Sequence, residues 1–145
     1  MPQDAEVQEI LSRYRTVAVV GLSRDPLKDS YVVAERLKME GFKIIPVNPF
    51  AEEILGEKCY KSLLEIPEEI HKTIEIVDIF RPAEEVMSIV HEAIRLKKKF
   101  GKPHVIWMQL GIINEEAAKT AENAGLIVVM NKCMMQEYKR LSVKP

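Results

Sequence analysis

The chain has 145 residues, 47% of them hydrophobic and 30% charged, which predicts one folded domain spanning residues 1–145. Lys and Arg number 21 against 22 Asp and Glu, so no global field attracts nucleic acid or an anionic membrane, and any anion site must be local. Two cysteines, Cys59 and Cys133, are too few for a disulfide framework and stand in no metal-binding spacing.

The first β-branched run, Val17-Ala18-Val19-Val20, predicts a strand. A loop from Gly21 leads to Ser30, read as the cap of a helix running towards Glu40 and stopping at Gly41. Lys43-Ile44-Ile45-Pro46-Val47 is the second strand, with Pro46, which lacks a ladder donor, expected near its end. Residues 50–73 contain Gly56, Pro67 and short apolar pieces, and predict an irregular connection with a brief helical turn over Ser62 to Ile66. Ile74 to Phe80 is the third strand, and Pro82 suits the first turn of a helix continuing through Val86, Val90 and Ile94. Val105-Ile106-Trp107-Met108 is the fourth. Asn114 caps a further helix, with Glu115 and Glu116 in its first turn and Gly125 at its end, before a fifth strand from Leu126 to Met130.

This alternation is the α/β signature. Because the runs are almost continuously apolar, the strands are expected to be buried on both faces, giving one three-layer domain around a five-stranded, mainly parallel sheet. Met1 to Glu6 lacks a basic segment followed by an apolar one, and no stretch has the length to span a bilayer, so no membrane association and a cytoplasmic location are expected.

In such sheets ligands bind beyond the carboxyl ends of the strands. In the first loop, Gly21 can turn sharply, backbone amides and the Ser23 and Ser30 hydroxyls can donate, and Arg24 and Lys28 add positive charge, a set that fits a diphosphate. The plain alternative is a turn at Gly21, a cap at Ser30 and solvated charges. A dinucleotide fingerprint fails, because Ser23 and Pro26 stand at its second and third glycine positions. The second strand also ends Val47-Asn48-Pro49 without the acid that would hold an NAD ribose. No Gly-Lys-Ser or Gly-Lys-Thr closes the loop, which argues against phosphoryl transfer from ATP.

The segments Val19-Val20-Gly21-Leu22-Ser23, Val47-Asn48-Pro49, Gly56-Glu57-Lys58-Cys59-Tyr60, Phe80-Arg81-Pro82, Trp107-Met108-Gln109-Leu110-Gly111 and Asn131-Lys132-Cys133-Met134 follow one another in an order that resembles the small CoA-binding domain proteins. Their Rossmann-like fold also forms the N-terminal domain of the succinyl-CoA synthetase alpha subunit. The resemblance implies that coenzyme A is the ligand, with Gly21, Leu22, Ser23 and nearby donors on its diphosphate. Asn48-Pro49 and Phe80-Arg81-Pro82 would flank the nucleotide, and Lys28, Ser30 and Tyr31 stand close enough in sequence to join them. Arg81 offers a fork of donors to a phosphate, or else an ion pair to Glu84 or Glu85. Pro49 is followed by Phe50-Ala51-Glu52-Glu53, with no lysine for a CoA phosphate, and the domain bearing a synthetase's phosphorylated histidine is lacking, so synthetase activity is not expected.

His71, His91 and His104 lie outside the carboxyl-end loops and read as surface or packing residues. Gln109, just past the buried Trp107, reaches the functional edge and is a candidate for the pantetheine amides. Cys133 follows the last strand, where a mixed disulfide with CoA is conceivable and a packed thiol is the plainer reading. Met134 and Met135 read as core fillers. The favoured expectation is a module binding CoA or acyl-CoA without intrinsic catalysis. The alternatives are an enzyme acting on a CoA thioester or CoA disulfide through Cys133, and an NAD-dependent redox protein.

Overall fold

Each of the five β-branched runs forms a strand in the computed structural model, which describes residues 1–143. The strands are β1 (Thr16–Val20), β2 (Lys43–Val47), β5 (Ile76–Ile79), β6 (Val105–Met108) and β7 (Ile127–Val129), with a small hairpin of β3 (Glu53–Ile54) and β4 (Glu57–Lys58) between the second and third. Every pairing in the main sheet is parallel, in the order β2-β1-β5-β6-β7. Alternate side chains of each strand enter two separate cores. Val17, Val19, Ile44, Ile76 and Trp107 pack under α1 (Asp4–Arg13), α2 (Asp29–Met39) and α6 (Met134–Arg140). Ala18, Ile45, Val77, Ile79 and Ile106 pack under α4 (Ala83–Phe100) and α5 (Glu115–Asn123). Both faces are covered, which is why the strands carry apolar residues at consecutive positions.

Pro46 sits one residue from the end of the edge strand, and its register explains why it is tolerated. The Tyr60 amide donates to Pro46 O at 3.1 Å and the Asn48 amide to Tyr60 O at 2.8 Å, so positions 46 and 48 face outwards. The missing proline donor therefore costs no bond to β1.

Three elements depart from the expectations. α1 was not foreseen, although Val7, Ile10 and Leu11 recur at helical spacing and are buried. The connection over 50–73 holds more structure than a single turn. Its hairpin turns through Leu55 (φ 56°) and Gly56 (φ 75°), a pair of positive φ values typical of two-residue hairpins. A 3-10 turn at Leu63–Glu65 follows as expected, and then α3 (Glu68–His71). Ser30 is not a cap: α2 begins at Asp29 after Lys28, which makes no side-chain cap, and Ser30 lies buried in the first turn. Asn114 does cap α5, its Oδ1 accepting from the Ala117 amide at 2.9 Å. Among the described residues, no helix is long and apolar enough to cross a membrane.

β1 leads to β2 on one side, and the chain then crosses back to place β5 on the other. The order thus reverses between β1 and β5. There the two following loops diverge and leave a crevice beyond the carboxyl ends of the strands.

Candidate functional site

The loops after β1 and β5 touch at this reversal. The Phe80 amide donates to Val20 O at 2.8 Å, holding the chain ends together. Gly21 adopts φ +89°, and a Cβ there would stand 2.6 Å from Phe80 O and 2.7 Å from Arg81 Cδ. Both the positive φ and the close approach therefore require glycine.

The loop from Gly21 to Ser30 satisfies most of its own polar groups. The Gly21 amide donates to Val47 O at 2.9 Å and the Ser23 amide to Ser30 Oγ at 2.9 Å. Ser23 Oγ accepts from the Asp25 amide, and Asp25 Oδ1 from the Leu27 amide. Among the described residues, the amides of Leu22 and Arg24 have no acceptor within the chain. They, the first-turn amides of Asp29 and Ser30, and the Ser30 hydroxyl proton are donors this loop can still offer to an anion. The Leu22 side chain is wholly buried, so only its backbone faces a ligand.

Asn48 staples the next loop to the first. Its Nδ2 donates to Leu22 O at 2.9 Å, and its Oδ1 accepts from the Phe50 amide at 2.7 Å. Arg24 reaches across in the same way, donating from Nη1 to Phe50 O at 3.2 Å.

Two open depressions flank this ridge. One, of about 400 Å³, is bounded by Gly21, Ser23, Val47, Asn48, Pro49 and Phe50 and continues to Lys61, Ser62, Arg81 and Glu85. The other, of about 470 Å³, is a groove lined by Phe80, Pro82, Gln109 and Cys133 with Val32, Val33, Leu110 and Ile112. Arg81 lines both. Its guanidinium pairs with Glu85 at 2.7 Å in an exposed i,i+4 contact, the ion-pair reading of this residue.

Of the residues singled out from sequence, the structure thus gathers Gly21, Ser23, Val47, Asn48, Pro49, Phe80, Arg81, Pro82, Gln109 and Cys133 around the two depressions. Arg24, Lys28, Ser30 and Tyr31 line neither. Arg24 and Lys28 are exposed, Ser30 supports Ser23, and Tyr31 packs against the core below α2.

Several lining or supporting residues were missed; besides neighbours such as Val32, Ile112 and Glu92 they include Lys61 and Asp78. Lys61 enters the first depression because Tyr60 bridges Val47 in parallel, a long-range pairing invisible in the local pattern. Asp78 was passed over inside an apolar run. It is fully buried on β5, its Oδ1 accepts from Gln109 Nε2 at 2.5 Å, and its Oδ2 has no partner among the described residues. Burial pushes its carboxyl up to about 7, against a smaller opposing effect of the Gln109 bond. An acid in the middle of a buried strand was the available signal.

The three histidines and Cys59 line neither depression. His71 is buried with Nε2 2.6 Å from Leu63 O, His91 is exposed on α4, and His104 stacks on Tyr14 with centroids 4.9 Å apart. Burial raises the Cys59 thiol, whose Sγ lies 3.5 Å from Asn48 O. Met134 and Met135 are core residues. Glu92, in the lining of the first depression, is raised chiefly by burial. Among the described residues, no group of three His, Cys, Asp or Glu could hold a metal.

Comparison with known proteins finds relatives of the whole fold. A hypothetical protein from Pyrococcus horikoshii OT3 superposes with a TM-score of 0.87 at 42% identity, covering 97% of this chain and 93% of that one. The uncharacterized protein YneT of Bacillus subtilis is 38% identical over 133 residues, 92% of either chain. An ADP-forming acetate-CoA ligase II of Archaeoglobus fulgidus is 42% identical over 80 residues. Those cover 54% of this chain but 11% of the ligase, so the likeness is to a small part of a much larger protein. The CoA binding domain family matches residues 15–139, from the start of β1 through nearly all of α6, and the chain belongs to that family.

Proposed function

We propose that this protein binds coenzyme A or an acyl-CoA across the ridge between the two depressions. The observation that carries the reading is that both depressions open at the β1/β5 reversal and share Arg81, whose side chain lies against Gly21. A ligand with a nucleotide at one end, a diphosphate in the middle and a long amide-bearing arm at the other matches that layout. The diphosphate sits at the ridge, on the free amides, the Ser30 hydroxyl and Arg81. The adenosine end occupies the depression of Asn48 and Pro49, where the ring of Phe50, 81% exposed, offers a stacking face. Lys61 there supplies the cation that the segment after Pro49 lacks. The pantetheine arm runs along the groove past Phe80 and Pro82 to Gln109 and Cys133, among mostly apolar walls.

Calorimetric titration with CoA, dephospho-CoA, NAD and ATP tests this. Saturable binding of CoA, weaker binding of dephospho-CoA and none of NAD are expected. No heat with CoA, or tighter binding of NAD, overturns the reading.

A second reading follows from the position of Cys133 on the groove wall. Its thiolate attacks a CoA disulfide, forms a protein–CoA mixed disulfide and releases the other CoA as thiolate. Incubation with CoA disulfide followed by intact-mass measurement tests it. An unmodified protein, or equal modification of Cys133→Ser, removes Cys133 from any such chemistry.

A further inference from the structure

Asp78 is the one buried carboxyl in the main sheet, at a position between Val19 and Trp107 where an aliphatic residue would pack without polar cost. Half of its acceptor capacity is unused, since among the described residues no group reaches Oδ2. A buried carboxyl without full partners is destabilising, so its presence calls for a role that packing does not supply. The partner it does have points to that role. Gln109 is almost wholly buried, yet it is one of the residues lining the groove. Its Nε2 is committed to Asp78, while among the described residues no donor reaches its Oε1, which is also not sealed from solvent.

We propose that Asp78 is a positioning residue: by accepting from Gln109 Nε2 inside the core, it turns the Gln109 carboxamide oxygen to the groove, where that oxygen accepts an N–H of the ligand's arm. Without Asp78 the carboxamide is free to rotate and to present either a donor or an acceptor. With it, the groove floor is an acceptor only. The arm of CoA carries two amide N–H groups, so the fixed acceptor selects for that chemistry. The ionised carboxylate only accepts and fixes this orientation, and the protonated acid keeps it with its proton on Oδ2, which leaves Oδ1 to accept from Gln109.

This inference rests on the CoA reading and separates from it by ligand choice. Wild type, Asp78→Val and Asp78→Asn are titrated with CoA and with adenosine 3′,5′-bisphosphate, which lacks the arm, and their thermal midpoints are measured. Asp78→Val is expected to melt at or above the wild-type temperature while losing about tenfold in CoA affinity, or about 1.4 kcal/mol. Its affinity for the bisphosphate stays unchanged. Asp78→Asn keeps an acceptor oxygen and restores most of the CoA affinity. Gln109→Leu, which acts at the groove itself, shows the same selective loss and supplies the test should Asp78→Val not fold. Equal CoA affinity in wild type and Asp78→Val, or parallel loss of both ligands, overturns the role of Asp78 alone. A wild type that binds neither ligand overturns the CoA reading and this inference with it.

Discussion

Replacing Gly21 by alanine tests the crevice at its tightest point. The residue has φ +89°, where an L side chain is strained by about 1–2 kcal/mol. The new Cβ would also lie 2.6 Å from Phe80 O and 3.0 Å from Phe80 C, both backbone atoms. Phe80 cannot step aside, because its amide holds Val20 O at 2.8 Å. Overpacking of this kind adds about 1–3 kcal/mol, so Gly21→Ala should lose roughly 2–5 kcal/mol in all. Gly101→Ala is the control, since Gly101 has φ +78° at the end of α4 and its Cβ would meet nothing within 4 Å. It carries the backbone strain without the contact, and the effect of a methyl group on the unfolded chain is common to both. Urea unfolding followed by the fluorescence of the single Trp107 measures the two variants side by side. The Gly21 variant should be the less stable by about 1–3 kcal/mol and should lose CoA affinity, whereas Gly101→Ala keeps it. Equal stability of the two variants, with CoA affinity intact in both, would show that the loops do not meet as described.

Burial raises Asp78 to about 7 from an ordinary 3.8, so the folded state keeps a proton that the unfolded chain has already released. Stability therefore falls as pH rises from about 4 to 7, by at most about 4 kcal/mol from this group. Asp78→Asn removes that decline, and urea midpoints that drop equally in wild type and variant between about pH 5 and pH 8 would refute it. Lys61→Ala should reduce CoA affinity about tenfold and leave dephospho-CoA affinity unchanged, because the lysine is assigned to the phosphate the latter lacks; equal losses in calorimetry would move Lys61 off that phosphate. Asn48→Ala breaks the bonds to Leu22 O and from the Phe50 amide, and should cost roughly 1–3 kcal/mol of stability together with CoA affinity. Thermal unfolding and calorimetry that both match wild type would exclude it as a staple.

The strands and their burial were legible because parallel strands between two helix layers carry apolar residues at consecutive positions. The α5 cap was legible too, since Asn114 acts on an amide three residues away. What stayed hidden depends on partners distant in the chain. Ser30 has the chemistry of a cap, but its hydroxyl is taken by the Ser23 amide, and the helix starts one residue earlier. The two-residue strands of the hairpin have no period to detect, and Tyr60 finds Val47 only once the edge of the sheet exists. Asp78 and Gln109 are 31 residues apart and meet because β5 and β6 are neighbours, which follows from strand order and not from either segment. α1 differs: Val7, Ile10 and Leu11 were readable, and the polar start obscured them.

The loops at the carboxyl edge are bonded to one another as well as within themselves. Asn48 and Arg24 tie the first two loops, Asn114 Nδ2 holds Ala83 O at 2.9 Å, and the Gly111 amide donates to Asn131 Oδ1 at 2.7 Å. The Trp107 indole closes the last loop by donating to Lys132 O at 2.8 Å. A ligand therefore meets a surface whose backbone is already ordered, and little of its binding free energy is spent on arranging loops. The rearrangement that remains is at Arg81, which must leave Glu85 to engage a phosphate. An exposed i,i+4 pair is worth about 0–1 kcal/mol, whereas a charge-assisted bond to phosphate contributes about 1.5–3 kcal/mol. The exchange is favourable, and until a ligand arrives Glu85 keeps the guanidinium beside the ridge where the two depressions meet.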